Sequence, residues 1–177
     1  MEIFKPKFTL LQQTILRFLA INTQKSFNAL ELSKELKVSP TAIIKSLHAL
    51  EQEALIKIKK DKRFSITFNG DSKKAREFKR VENLRNAYES GLLESLSDEF
   101  PGTTMILFGS YSQGYDSEDS DIDIAIIGKE RKVEIGKFER ILHRKITLQF
   151  YPNIKDIQKN LRENILNGIV VKGGIQL

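Results

Sequence analysis

The chain has 177 residues, 40% of them hydrophobic, enough for one or two small cores; it has no run of 18 apolar residues and no signal-peptide pattern at Met1–Lys7, so a cytoplasmic protein with no membrane partner is expected. It has no cysteine, which excludes disulfides and thiolate metal sites, and only two histidines, His48 and His143, which argues against zinc. The net charge of +6 is uneven: residues 1–70 hold 12 Lys and Arg against 6 Asp and Glu, residues 71–100 hold 6 against 7, and residues 101–177 hold 11 against 10. The whole excess sits on the first 70 residues, the footprint of a module that faces nucleic acid.

Residues 9–21 place Leu11, Ile15, Phe18 and Leu19 at helical spacing. Asn28 is suited to cap a second, short helix whose apolar residues are Leu30, Leu32 and Leu36. Ser39-Pro40 pairs a cap with a first-turn proline, and the helix it starts runs to about Glu53 with Ile43, Leu47 and Leu50 on one face. Thr41, Ile44, Lys45 and His48 then face outward. Two alternating segments, Leu55–Lys60 and Phe64–Phe68, flank the polar turn Asp61-Lys62-Arg63 and predict a β-hairpin.

Three helices followed by a basic hairpin resemble a winged helix-turn-helix domain. The stretch Leu50-Glu51-Gln52-Glu53-Ala54-Leu55-Ile56 is similar to the Leu-Glu-x-x-Gly-Leu-Ile ending of recognition helices in winged-helix regulators, with Ala54 where glycine is usual. That resemblance implies double-stranded DNA as a partner. Thr41, Ile44, Lys45 and His48 would face the major groove. Lys57, Lys59, Lys60, Lys62 and Arg63 of the hairpin would meet phosphates. A bare protein-interaction module is the competing reading.

Asn69-Gly70-Asp71-Ser72 is a turn, with Ser72 placed to cap the next helix. From Lys73 to about Ser97, Phe78, Val81, Leu84, Tyr88 and Leu92 recur at helical spacing and predict one long connecting helix. Its stripe would pack on the domains or on a second copy of the chain, a homodimer. Pro101-Gly102 ends it. Then follow a strand over 104–108, a short helix over 110–114, a strand over 122–128, a helix over 134–142, a strand over 145–151 and a last helix from a cap at Asn153 to about Asn167. Gly168 lies where a helix ends, and residues 169–177 read as an apolar, glycine-rich tail. The expected organisation is a two-domain α/β (α+β) chain: a winged helix over 1–70, a connecting helix over 71–100 and a mixed-sheet domain over 101–177.

The most informative stretch is Phe108-Gly109-Ser110-Tyr111-Ser112-Gln113-Gly114, followed by Ser120-Asp121-Ile122-Asp123 and the apolar run Ile124–Ile127. In a strand, residues i and i+2 point to one side, so Asp121 and Asp123 aim two carboxylates at one point, the donor set of a hard divalent cation. A Gly-Ser turn offers backbone N–H groups and a hydroxyl to phosphate oxygens. This pattern resembles the nucleotidyltransferase superfamily that includes DNA polymerase beta, and most of all its minimal, stand-alone branch. The resemblance implies a nucleotide site at Gly109, Ser110, Gly114 and Ser120, catalytic and metal-binding roles for Asp121 and Asp123, Mg²⁺ or Mn²⁺ as cofactor, and a nucleoside triphosphate such as ATP as substrate. The acceptor would be a hydroxyl on a protein or a small molecule.

Members of that superfamily usually place a third acid on the next strand. Here the strand 145–151 buries Ile146, Leu148 and Phe150 and turns Thr147, Gln149 and Tyr151 to the other face. Gln149 or Thr147 takes the third position, with Gln149 the expected metal ligand. Either supplies an oxygen, and neither is a carboxylate base. Asp116, Glu118 and Asp119 read as a solvated acidic face, one of them a candidate substitute for that acid. Arg144 and Lys145 read as the basic end of a helix or as cations for a triphosphate. Two functional readings follow: a transferase moving a nucleoside monophosphate onto an acceptor hydroxyl, or a DNA-binding regulator whose second domain binds nucleotide without turnover.

Overall fold

The computed structural model describes residues 7–60 and 64–175. Contacts divide the chain into two compact units, Met1–Lys79 and Arg80–Leu177.

The first unit contains α1 (Leu10–Ile21), α2 (Ala29–Leu36), α3 (Pro40–Gln52) and the strands β1 (Ile56–Lys60) and β2 (Phe64–Phe68). Each helix starts where its side chains satisfy the free N–H groups. Thr9 and Gln12 form a capping box at α1, Asn28 and Glu31 form another at α2, and Ser39 accepts from the Ala42 N–H at α3 with Pro40 behind it. The inward faces meet in one core: Ile15, Leu16, Leu19, Leu32, Ile43, Leu47, Leu50 and Ile66 are at most 2% exposed. Truncating any of the large ones to alanine costs about 2–5 kcal/mol. β1 and β2 pair antiparallel with Ile58 opposite Ile66. Phe27 forms an extra bridge to Ile66, which adds a short third rung that the sequence pattern did not announce. This is a winged helix by element order and pairing.

The end of α3 explains the departure at position 54. The Leu55 N–H bonds to the Leu50 carbonyl at 3.0 Å and the Ala54 N–H to the Glu51 carbonyl at 2.8 Å, the two bonds of a Schellman ending. That ending needs a left-handed residue, and Ala54 has φ +55°. A Cβ in that region costs roughly 1–2 kcal/mol, while glycine loses roughly 0.4–1 kcal/mol more entropy from the unfolded chain. Ala54→Gly is therefore expected to stabilise this unit by about 0.5–1 kcal/mol in urea unfolding. A destabilised variant would show that the Ala54 methyl makes packing contacts worth more than the strain.

The second unit begins inside α4 (Lys73–Glu89) and continues with α5 (Leu92–Glu99), β3 (Thr104–Phe108), α6 (Gly109–Gln113), β4 (Ile122–Ile127), α7 (Gly136–Leu142), β5 (Ile146–Tyr151), a 3-10 turn (Ile154–Asp156), α8 (Lys159–Leu166) and β6 (Ile169–Lys172). The one long helix expected over 73–97 is two helices. Gly91, at φ +76°, breaks the chain between them. The stripe is divided: Phe78 packs on the first unit's core and Leu84 and Leu92 on the second's, while Val81 is 64% and Tyr88 53% exposed and Ala75, Lys79, Glu82, Asn83 and Ala87 are buried. Periodicity of apolar residues misplaced Val81 and Tyr88 because much of the buried face of α4 is built from small and polar side chains.

The sheet runs β5-β4-β3-β6, with β4 and β5 parallel and the other pairs antiparallel. One face packs Met105, Leu107, Ile122, Ile124, Ile126 and Ile146 against Leu92, Leu93, Leu96 and Phe138. The other packs Ile106, Phe108 and Ala125 against Ile154, Ile157 and Ile165. The expected tail is in fact edge strand β6, paired with β3. Gly168 admits it: a Cβ there would lie 2.5 Å from the Leu107 carbonyl oxygen.

Candidate active site and nucleic-acid face

The strand register assembles the site at one edge of the sheet. β3 ends at Phe108, which lies opposite Asp123 of β4, and Asp123 lies beside Thr147 of β5. Gly109 follows at φ +73°, and a Cβ on it would sit 2.6 Å from Asp123 Oδ2. Only glycine lets the Gly109-Ser110 backbone lie against that carboxylate. Gly114 closes α6 in the left-handed region at φ +75°. The Ser120 hydroxyl accepts from the Ser117 N–H at 2.9 Å and so closes the turn that leads into Asp121.

Burial, and secondarily the charge of Asp121, push the Asp123 carboxyl above its ordinary range. Two partly desolvated carboxylates that repel each other are relieved by a divalent cation. The Thr147 hydroxyl donates to Asp121 Oδ2 at 3.1 Å, and Lys145 Nζ stands 4.0 Å from the same oxygen. This oxygen-only donor set fits a hard cation. Among the described residues no group of three or more His, Cys, Asp or Glu side chains could hold a metal ion, so the set consists of two carboxylates and a hydroxyl.

The register corrects the choice of Gln149. Gln149 pairs with Ala125, one step beyond the carboxylates, and its Oε1 already accepts the Tyr151 hydroxyl at 2.7 Å. Thr147 is the β5 side chain beside Asp123 and hydrogen-bonded to Asp121. The reading of Asp116 is also corrected. Asp116 is only 4% exposed. It accepts from Asn83 Nδ2 at 2.8 Å and from Arg144 at 3.4 Å. It therefore anchors the loop and is not part of a solvated acidic face. Arg144 is committed to it and does not face a triphosphate. Asn83 donates to the Tyr111 carbonyl at 2.8 Å, and the Tyr111 hydroxyl donates to the Asn83 carbonyl at 3.1 Å. Burial is the main cause that pushes the Tyr111 hydroxyl up, with the Asp116 charge next. Sequence reasoning missed this network because partners 28 and 33 positions apart leave no periodic signal.

In the first unit Thr41, Ile44, Lys45 and His48 are all exposed on one side of α3, Ile44 by 56%. Lys57 and Lys59 are exposed on β1, and Lys57 pairs with Asp71. The side chain of Lys60, and Lys62 and Arg63 entirely, lie outside the described residues.

The second unit thus sets a glycine turn at the end of β3 against Asp123 of β4, with Asp121 just before that strand. Residues 89–171 match the nucleotidyltransferase domain family, and that part of the chain is a nucleotidyltransferase domain that follows a winged helix in the sequence. No curated protein matches the chain. Among solved structures, a mutant of ZitR from Lactococcus lactis is 23% identical at a TM-score of 0.40, covering 54% of this chain and 64% of that one. A second ZitR mutant gives 23% and 0.41, covering 58% and 68%. The adhesin competence repressor AdcR from Streptococcus pyogenes gives 20% and 0.40, covering 53% and 69%. This chain thus spans about two-thirds of each. Among the described residues no helix is long and apolar enough to cross a membrane.

Proposed function

We propose that this chain transfers a nucleoside monophosphate from a nucleoside triphosphate to an acceptor hydroxyl, and that its winged helix binds double-stranded DNA. The observation that supports the first part best is the apposition of Gly109 and Asp123, inside a domain of the matching family. The Gly109-Ser110 turn holds phosphate oxygens through backbone N–H groups and the serine hydroxyl. Asp121 and Asp123 hold Mg²⁺ or Mn²⁺, which when bound neutralises charge on the triphosphate. The acceptor oxygen bonds to the α-phosphorus, the bond from that phosphorus to the bridging oxygen breaks, and pyrophosphate leaves. The test is transfer of label from an α-labelled triphosphate to a candidate acceptor, with Asp121→Ala and Asp123→Ala as controls. Equal transfer by both variants would remove these roles.

The second reading, a regulator that binds nucleotide without turnover, is favoured by one observation: the β5 residue beside Asp123 is Thr147, which cannot act as a carboxylate base. Mg²⁺-dependent triphosphate binding without transfer to any acceptor would decide for it. For the DNA module, duplex affinity is expected to fall steeply with salt. Lys59→Ala, which removes an exposed phosphate-facing cation of the hairpin, should lower the slope of log K against log salt by about 1. No retardation of any duplex at low salt would exclude this role.

A further inference from the structure

The order of groups along the active edge says where the acceptor arrives. β3, β4 and β5 are neighbours, so the Gly109-Ser110 turn at the end of β3, the carboxylates at the start of β4, and Lys145 and Thr147 at the start of β5 stand side by side. In an in-line displacement the attacking and leaving oxygens lie on opposite sides of the phosphorus. With the β- and γ-phosphates at the Gly-Ser turn, the acceptor comes from the β5 side.

That side is basic. A shallow, open depression of about 490 Å³ is lined there by Gly136, Glu139, Arg140, His143, Arg144 and Lys145. Two of its charges are already used: Glu139 accepts the Ile146 N–H at 2.9 Å, and Arg144 pairs with Asp116. Lys145 is exposed and makes only a long ion pair, its ammonium 4.0 Å from Asp121 Oδ2 at the rim of the site. Arg140 lines the same depression. A cationic acceptor would be repelled here. An enclosed apolar molecule would find no cavity, since small-molecule sites are concave and mostly apolar.

We infer that the acceptor carries a phosphate group near its reacting hydroxyl, and that Arg140 and Lys145 hold this phosphate. The inference rests on the transferase reading and names its substrate class. The hydroxyl oxygen bonds to the α-phosphorus, pyrophosphate leaves with the electron pair of the broken bond, and the proton passes to water on the open face. A nucleic-acid 3′ end and a small phosphorylated sugar share this chemistry.

The test is direct binding to the full chain, with its triphosphate site saturated by Mg²⁺ and a non-hydrolysable triphosphate. The probes are a single-stranded oligonucleotide with a free 3′ hydroxyl, ribose 5-phosphate, and their phosphate-free counterparts, a methylphosphonate oligonucleotide and ribose. At least one phosphate probe is expected to bind, and the pair of charged probes tells polymer from small molecule. Its affinity should fall at least about 10-fold in the doubly substituted Arg140→Ala, Lys145→Ala chain. Equal binding of the phosphate-free counterpart, no binding of either phosphate probe, or unchanged affinity in the variant would each overturn the inference. Failure of the transferase reading shows separately, as loss of Mg²⁺-dependent triphosphate binding by the wild-type chain.

Discussion

Asp123→Ala is expected to abolish Mg²⁺-dependent triphosphate binding, an affinity loss of at least about 100-fold in calorimetric titrations of ATP, GTP, CTP and UTP. Asp123 is in register with both neighbouring strands and touches the space Gly109 leaves open, so no other side chain can replace it. Asp123→Asn sharpens the test by keeping the shape. The folded carboxyl titrates above its ordinary value of 3.8, through burial first and the Asp121 charge second. Its stabilising contribution is full below the unfolded value and is lost as pH rises through the folded one, so at neutral pH the ionised form burdens the fold. The neutral amide removes the burden. The asparagine variant should therefore melt no lower than wild type at pH 7, and the gap between the two should close as pH falls below about 4. Mg²⁺ with triphosphate should raise the melting temperature of wild type alone. A variant that melts lower and still binds would make Asp123 a structural residue.

Much of this arrangement was legible because it is local. The capping residues Asn28 and Ser39, the inward set Ile43, Leu47 and Leu50, and the Asp121–Ile127 run are spelled by neighbours a few positions apart. What stayed hidden depends on long-range register or on polar burial. Thr147 and Gln149 both face the same side of β5, and only the pairing with Asp123 and Ala125 separates them. Strand β6 looked like a tail because its partner, β3, lies some sixty residues earlier. The stripe on α4 held at Phe78 and Leu84 and failed at Val81 and Tyr88, because Asn83, Glu82 and Lys79 are buried where an apolar pattern looks for leucine. Position 54 is the reverse case: the expected glycine was absent, and the left-handed backbone is present regardless.

Asp116→Ala is expected to destabilise the second unit by about 3–5 kcal/mol, because it leaves the Arg144 guanidinium buried without its partner. The Arg144 and Asp116 side chains are 7% and 1% exposed, so water does little to screen the loss. Asn83 loses an acceptor at 2.8 Å in the same step. In urea, with a slope of about 2 kcal/mol/M, the midpoint should drop by about 1.5–2.5 M. Adding Arg144→Met to Asp116→Ala removes the stranded charge and should recover most of the loss, since a buried pair replaced by apolar side chains is often nearly neutral. The recovered protein would then isolate a second effect. Asp116 and Asn83 tie α4 to Tyr111, which follows Gly109 by two positions. A double variant as stable as wild type but weaker in triphosphate binding would show that the network holds the Gly109-Ser110 turn in place. Equal stability and equal affinity would confine it to the fold. A loss below about 1 kcal/mol in Asp116→Ala alone would mean that Arg144 finds solvent or another partner, and the anchor would be withdrawn.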